Sequence, residues 1–465
     1  MTTAALQPRG RAPQAVPAPA AAALAAGLER AVRFPDEALV RLAVPAPVAP
    51  AATLLRGDPD AVVWEDRDGA EAWAGLGRAA VLTARGPERF AAIAAAAAAL
   101  DRRTVAIDAP PPARWLGGFA FTPGGAAGGA WAGFGDARFV LPRWTYARVG
   151  ERAELILCAP ARELADAAAI HAELATTLAL LATPCPAPSA PRLAQRDATP
   201  DAWRAIVLAA TAAIAAGSLR KVVAARARVI ELAQPIDAAG LVAELGRRQP
   251  ACTRFGFAAG GAIFVGASPE RLVRKRGRAL DTEALAGSWA RTDADGDADA
   301  AVAALLASAK DRREHAWVVE AIAGALGPRC AELRIPPAPT ARVLRHLVHL
   351  HTPVVGQLDR DRHVLELVAA LHPTPAVGGT PTDDAVAWIA GHEPTARGWY
   401  AAPVGWFDAA GDGEFAVAIR SGLCAGATVA LYAGAGLVEG SDPTSEWHET
   451  EVKLAALTGA LGLGR

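Results

Sequence analysis

The segments of this chain that read as strands come in runs, and that grouping constrains the fold more than any other feature of the sequence. In the C-terminal half they are 220–232 (RKVVAARARVIEL), 251–268 (ACTRFGFAAGGAIFVGAS), 402–408 (APVGWFD), 413–426 (GEFAVAIRSGLCAG) and 428–438 (TVALYAGAGLV). They are enriched in Val, Ile, Phe and Tyr and punctuated by Gly. Helical periodicity marks 201–217, 237–249, 297–327, 362–372, 383–392 and 445–462. Strands that follow one another directly pair as antiparallel neighbours, whereas strict strand–helix–strand alternation gives a parallel sheet. The pattern therefore predicts an α+β fold with largely antiparallel sheets. Upstream, WAGF (131–134), ARFVLP (137–142) and WTYARV (144–149) read as strands joined by turns. The glycine-rich stretch before them lacks a Gly-Lys-Ser/Thr ending and reads as a hairpin loop, not a phosphate loop.

One break in composition divides the chain. Residues 182–203 carry five prolines between two Ala-rich helical segments. They predict a connection between an N-terminal subregion of the fold, 26–190, and a C-terminal region, 200–465, that carries the chemistry. Residues 1–25, rich in Ala and Pro, predict a disordered tail and lack the features of a signal peptide. With 465 residues, 52% hydrophobic and 20% charged, the chain reads as globular. A net charge of -1 supplies no field for nucleic acid or an anionic membrane, so any bound anion must be held by a few local groups. No run reaches the ~18 apolar residues of a membrane span. Five scattered cysteines without a CxxC pair argue against a zinc site or a disulfide framework, and predict a cytoplasmic protein.

Two helical segments offer acids on one face. In SEWHETEVK (445–453), Glu446, Glu449 and Lys453 share a face at spacings of three and four, and Glu451 falls off it. In KDRREHAWVVEAI (310–322), Asp311 and Glu314 repeat the spacing of three. Four carboxylates brought together repel one another unless a divalent cation sits among them. Mg2+, which takes oxygen ligands and only one or two direct carboxylates, suits such a set. Both stretches are equally consistent with solvated salt-bridge ladders, in which Glu451 would matter little. Lys221 shares a strand file with Val223 and Ala225, where desolvation favours a neutral, basic amine. Glu270 follows a strand end and a turn. Arg420 ends a strand and could clamp a carboxylate bidentately. TEALAGS (282–288) and AGAGLVEGS (433–441) let backbone N–H groups approach an anion.

These pieces occur in one order: KVVAAR, FVGASPERL, TEALAGS, SAKDRREH, HLHTPVVG, LHPTPAVGG, RGWYAAPVGW, FAVAIRS, AGAGLVEGS and SEWHETEVK. In that order and spacing, over about 215–456, the chain resembles the chorismate-utilising enzymes. That group holds the isochorismate, salicylate, anthranilate and aminodeoxychorismate synthases. LGGFAF (116–121) and LPRW (141–144) extend the likeness thinly upstream. The resemblance implies a single large domain of two antiparallel sheets wrapped by helices, working as a monomer, with an Mg2+-dependent site for the dianion chorismate. It implies metal ligands at Glu314 and Glu449, with Asp311 and Glu446 acting through water. It implies Arg420, Tyr400 and Gly434 at the pyruvyl carboxylate, and further contacts from Gly287, Ser288 and Lys453. His349 and Ala376 would line the site near the ring.

Within the family, aminodeoxychorismate synthases carry a nucleophilic lysine where Ala286 stands here, which excludes that covalent route. Isochorismate and salicylate synthases carry a base lysine matched by Lys221. The implied chemistry is an allylic displacement. Lys221 deprotonates a water that attacks C2, and protonated Glu270 gives its proton to the departing C4 hydroxyl, each transfer contributing ~10²–10⁴-fold. Salicylate synthases, which go on to eliminate pyruvate, tend to carry threonine where Ala376 stands. The expectation is thus an isochorismate synthase, with a salicylate synthase second and an aminating enzyme third. Isochorismate feeds siderophore, menaquinone and salicylate formation. A binding protein that kept the fold would be expected to have lost one of Lys221, Glu270, Glu314 or Glu449. A metal-dependent hydrolase would add ligands for a second metal, and the nine histidines form no such set.

Overall fold

Hairpins pair within the runs, and strands far apart in sequence lie side by side between them. Lys221–Leu232 lies antiparallel to Thr428–Leu437, which turns back into Ser421–Ala425. Ser421–Ala425 pairs with Ala262–Ser268, itself hairpinned to Thr253–Ala259. The next neighbour, Val62–Glu65, comes from far upstream, and the sheet continues through Glu71–Leu76, Trp144–Val149, Arg152–Pro160 and Leu39–Pro45. The second sheet runs from Cys330–Arg334 through Leu347–Leu358, Ala279–Ala290, Arg271–Arg276, Gly413–Val417 and Pro403–Asp408. It then crosses into the upstream strands Arg114–Phe119, Ala137–Leu141 and Ala80–Ala84. The computed structural model describes residues 15–290, 298–344 and 347–463. Among them, every strand pairing is antiparallel except Leu39–Pro45 with Thr104–Ala106. Because both sheets draw strands from both sides of the proline-rich connection, the two regions form one domain, an α+β fold of two sheets wrapped by helices.

The core falls into two main clusters, and alternate residues of the first sheet's strands contribute to both. One buried cluster is dominated by aromatics, among them Trp64, Trp115, Phe119, Phe139, Phe255 and Phe415. The other is aliphatic and lies under helices, with Leu24, Leu28, Leu174, Leu241, Leu454 and Leu457. Ring pairs 4–7 Å apart fill the volume that an alanine-rich chain would otherwise leave empty.

Three expectations need correction. The tail expected over 1–25 is helical from Ala18, because Ala20, Leu24, Leu28 and Ala31 form a buried stripe on the helix Ala18–Ala31; residues 1–14 lie outside the described residues. WAGF is not a strand. Gly129–Trp131 is a short 3-10 turn, and Trp131 and Phe134 pack edge to face. The single helix expected over 297–327 is two, Ala298–Ala307 and Ala309–Leu326, with Asp297 outside the described residues. Ser308 divides them because its hydroxyl accepts the N–H of Asp311 and so starts the second helix as its N-cap. That helix packs on Ala279–Ala290, and the C-terminal helix Pro443–Ala460, capped by Asp442, packs on Thr428–Leu437.

Candidate active site

A cavity of about 240 Å³ is lined by Lys221, Glu270, Gly287, Asp311, Glu314 and His349 from the first part of the motif series. Ala376, Tyr400, Arg420, Gly434, Glu446, Glu449 and Lys453 line it from the rest. Of the residues singled out from sequence, only the side chain of Ser288 lies outside the described residues. The volume suits a small molecule, being below the ~300–1,000 Å³ of pockets for drug-sized ligands.

The two acidic helices present their carboxyls to this space, and three of the four acids pair with a lysine. Lys221 Nζ lies 2.7 Å from Glu314 Oε1, and Lys453 Nζ lies 2.5 Å from Glu449 Oε1. Lys310 Nζ lies 3.7 Å from Glu446 Oε1. Lys453 also donates to Gly434 O at 2.8 Å, which ties the C-terminal helix to the strand beneath it. Crowding shows in the protonation of the set. Burial, and then the charges of Glu314 and Glu449, hold the Asp311 carboxyl above its ordinary range. Burial and the Glu449 charge push Glu446 up to about 7. Among the described residues no three Asp, Glu, His or Cys side chains converge into a ready-made metal cage. Mg2+ needs none, since it keeps several waters and binds through one or two carboxylates plus substrate oxygens. An all-oxygen set with Glu314 and Glu449 from two helices, and Asp311 and Glu446 repelling behind them, fits that ion.

Glu270 joins Ala262–Ser268 to Arg271–Arg276 instead of starting a helix. Its N–H donates to Ser268 Oγ (3.2 Å), and that hydroxyl donates to Val417 O (2.6 Å). Burial and the neighbouring Glu283 push the Glu270 carboxyl up to about 8, against the pull of Lys221, Arg420 and Lys453. It therefore carries a proton at neutral pH, as a general acid must.

Arg420 does not end a strand. It sits between Gly413–Val417 and Ser421–Ala425 with a left-handed backbone, φ +51°. For a non-glycine residue that conformation costs on the order of 1 kcal/mol, and it aims the side chain into the cavity. Among the described residues no hydrogen bond or ion pair engages its guanidinium. Tyr400 stacks on Tyr432 with ring centroids 5.2 Å apart, and burial pushes its hydroxyl up to about 12, so it remains a donor. Burial, with Arg420 and Lys453 nearby, lowers His349 to about 3. Its Nδ1 lies 3.2 Å from Gly287 O, which assigns the proton to Nδ1 in the neutral ring. Gly287, φ +73°, forms a bulge in Ala279–Ala290 opposite Leu350 and His349; TEALAGS is thus a kinked strand.

The sequence reading missed two participants and misjudged a third. Gly436 is two residues from Gly434 in the same strand file, and a Cβ there would lie 2.8 Å from Glu314 Oε1 and 3.2 Å from Lys221 Cε. The i, i+2 glycine spacing in AGAGLV was the available signal. Arg397 lines the cavity while donating to Val377 O and Val223 O, both at 2.7 Å, and it pairs with Glu393. Glu451 is not a bland surface acid. It ion-pairs with Arg226 and with Arg228 (2.6 Å). The buried Arg226 also reaches Asp197 (2.5 Å) and lies 3.7 Å over the Trp447 ring. This network fastens the helix carrying Glu449 to the strand carrying Lys221.

A family model described as "Chorismate binding enzyme" matches residues 32–462. The chain belongs to the chorismate-binding enzyme family. It is 41% identical over 391 residues to the salicylate biosynthesis isochorismate synthase of Pseudomonas aeruginosa, covering 83% of this chain and 82% of that protein. Among solved structures it resembles MenF, the menaquinone-specific isochorismate synthase of Escherichia coli, with TM-score 0.79 and 31% identity over 94% of this chain and all of that one. Anthranilate synthase component I of Streptococcus pneumoniae shares the fold, with TM-score 0.66 and 19% identity over 90% of this chain and 92% of that one. Among the described residues no helix is long and apolar enough to cross a membrane.

Proposed function

We propose that this protein is an Mg2+-dependent isochorismate synthase that converts chorismate to isochorismate in the cavity described above. The observation that carries the reading is the pairing of a buried lysine, Lys221, with a buried acid that holds its proton, Glu270, in one small cavity. The named relatives support it.

Arg420, whose guanidinium no hydrogen bond or ion pair engages among the described residues, and the Tyr400 hydroxyl bind the pyruvyl carboxylate, a bidentate clamp plus a neutral donor. Glu314 and Glu449 would hold Mg2+, which would supply positive charge for the ring carboxylate. Lys221, 1% exposed in the cavity wall, is the base. Lys221 takes a proton from a water, whose oxygen bonds to C2. The ring double bonds shift, the C4–O bond breaks, and Glu270 protonates the departing hydroxyl to water. One water enters and one leaves, so the net change is an isomerisation. Ala376 presents no hydroxyl, in keeping with a reaction that stops before pyruvate is lost.

Purified protein incubated with chorismate and Mg2+ should give isochorismate, and EDTA should abolish the product until Mg2+ is restored. Salicylate as the main product, or turnover indifferent to EDTA, would refute the reading.

A further inference from the structure

Glu283, on Ala279–Ala290, is buried at 5% exposure and takes no part in the chemistry above. Its Oε1 accepts the N–H of Arg271 at 2.9 Å. The same carboxylate pairs with Arg67 (2.8 Å), Arg342 (2.8 Å) and His351 Nε2 (3.2 Å). Arg342 in turn donates to Pro269 O (3.3 Å). Glu270 lies between Pro269 and Arg271, so the peptides on both sides of it are tied to one half-buried ion cluster. Arg67 brings in the N-terminal part of the chain, 216 residues away in sequence.

We propose that Glu283 is a positioning residue for the catalytic acid: it fixes the Pro269–Arg271 turn and keeps a permanent negative charge behind Glu270. The inference rests on the reading of Glu270 as the acid.

The charges around Glu270 show why such a residue is needed. Lys221 from its strand, Arg420 from its turn and Lys453 from the C-terminal helix all favour the ionised carboxyl, which could not donate a proton. His349 is neutral and adds no charge. Arg271 turns its guanidinium away, to Asp281 (2.5 Å) and Glu414 (3.0 Å). Glu283 opposes the three cations and, with burial, keeps Glu270 near 8. Burial alone would raise Glu283 too. The hydrogen bonds from His351 and Arg342, and the Arg67 charge, instead hold it well below the carboxylate range, so its charge persists at any working pH. A protonated Glu283 could not do this, and its two arginine neighbours with the His351 contact prevent one.

The test is the pH profile of kcat/KM for Glu283→Gln, whose amide oxygen still accepts the Arg271 N–H but carries no charge. The alkaline limb, where Glu270 loses its proton, should move down by ~0.5–1 pH unit, with kcat at pH 6.5 within ~tenfold of wild type. Glu283→Asp, which keeps the charge but not the reach, should lower kcat and leave the limb in place. A purely structural role would lower rate and melting temperature with the limb unmoved in Glu283→Gln, and that result overturns the proposal. If the Glu283 variants do not fold, Arg67→Met at the edge of the cluster leaves the Glu283 charge less compensated and should move the limb upward; an unmoved limb again overturns it. Glu270→Gln measured alongside separates the two ideas, since retained turnover in that variant refutes the acid assignment itself.

Discussion

Replacing Gly436 by alanine should damage turnover without damaging the fold. The added Cβ would lie 2.8 Å from Glu314 Oε1 and 3.2 Å from Lys221 Cε. Carbon contacts settle nearer ~3.5 Å, so the Glu314 carboxylate must retreat by ~0.5–1 Å. Lys221, 1% exposed, has little space in which to follow. The cost to stability is small for two reasons. The displaced atom is the end of a flexible side chain, and Gly→Ala at an ordinary φ removes unfolded-state entropy worth ~0.4–1 kcal/mol. The cost to chemistry is larger, because a ~1 Å misplacement of reacting groups can lower rates ~10²-fold. We expect kcat to fall ~10–100-fold, a rise of ~1.4–2.7 kcal/mol in the barrier, with the melting temperature nearly unchanged. Chorismate turnover by product separation and a thermal melt read the two quantities. Gly391→Ala, in the helix Thr382–His392 with nothing within 4 Å of the added methyl, is the control and should match wild-type turnover. Gly436→Ala activity within twofold of wild type would refute the argument, since the Lys221–Glu314 geometry would then not matter to the reaction.

Glu270→Gln tests protonation through stability. The Glu270 value, raised from 4.5 to about 8, means the folded state keeps a proton that the unfolded state releases. Its contribution is full below pH ~4.5 and is lost as pH rises to ~8, so in urea titrations the variant should gain stability over wild type between those limits while losing turnover. Arg420→Lys should raise the KM for chorismate ~10–100-fold, because an ammonium cannot form the bidentate pair; an unchanged KM would remove Arg420 from the substrate. Glu449→Gln should abolish Mg2+-dependent turnover at little cost in stability. Glu451→Gln should do the reverse, costing about 1–2 kcal/mol in urea unfolding through the Arg226 and Arg228 pairs while turnover of the folded protein stays near normal.

What could be read from sequence was whatever depends on spacing along one element. Lys221 and Val223 share the cavity wall while Arg226 faces the other way, as strand alternation requires. Asp311 and Glu314, and Glu446 and Glu449, meet at one site because helical spacing puts each pair on one face. What could not be read depends on elements distant in sequence. Glu451 looked solvent-facing because its partner Arg226 lies 225 residues away. Glu283 drew no notice because the strands that bury it, and Arg67 that pairs with it, are placed only by the folded sheets. The left-handed Arg420 lay inside what reads as one continuous strand run, and no local signal marks a non-glycine turn there. The helix Ala18–Ala31 was hidden by composition, since alanine contributes to a helical stripe almost without contrast.

The charges lining the cavity suggest how metal and substrate enter. Lys221, Lys310, Lys453 and Arg420 face Asp311, Glu314, Glu446 and Glu449, four cations against four carboxyls of which Glu446, pushed up to about 7, is part-protonated, with Glu270 protonated and Arg397 committed to Glu393. The site therefore stands close to balance. A divalent cation alone, or a dianion alone, leaves two uncompensated charges in a partly desolvated space, and such charges are costly. Together they cancel. Chorismate and Mg2+ should thus strengthen each other's binding, and by linkage the factor must be the same in both directions, on the order of 5–150-fold for a coupling of ~1–3 kcal/mol. Calorimetry with Glu270→Gln, which keeps this charge count but does not turn over, would measure chorismate affinity with and without Mg2+, and Mg2+ affinity with and without chorismate. Equal chorismate affinities in the two conditions would show that the lysines already compensate the carboxylates without metal. The ion would then serve the chemistry or the geometry and not the charge balance.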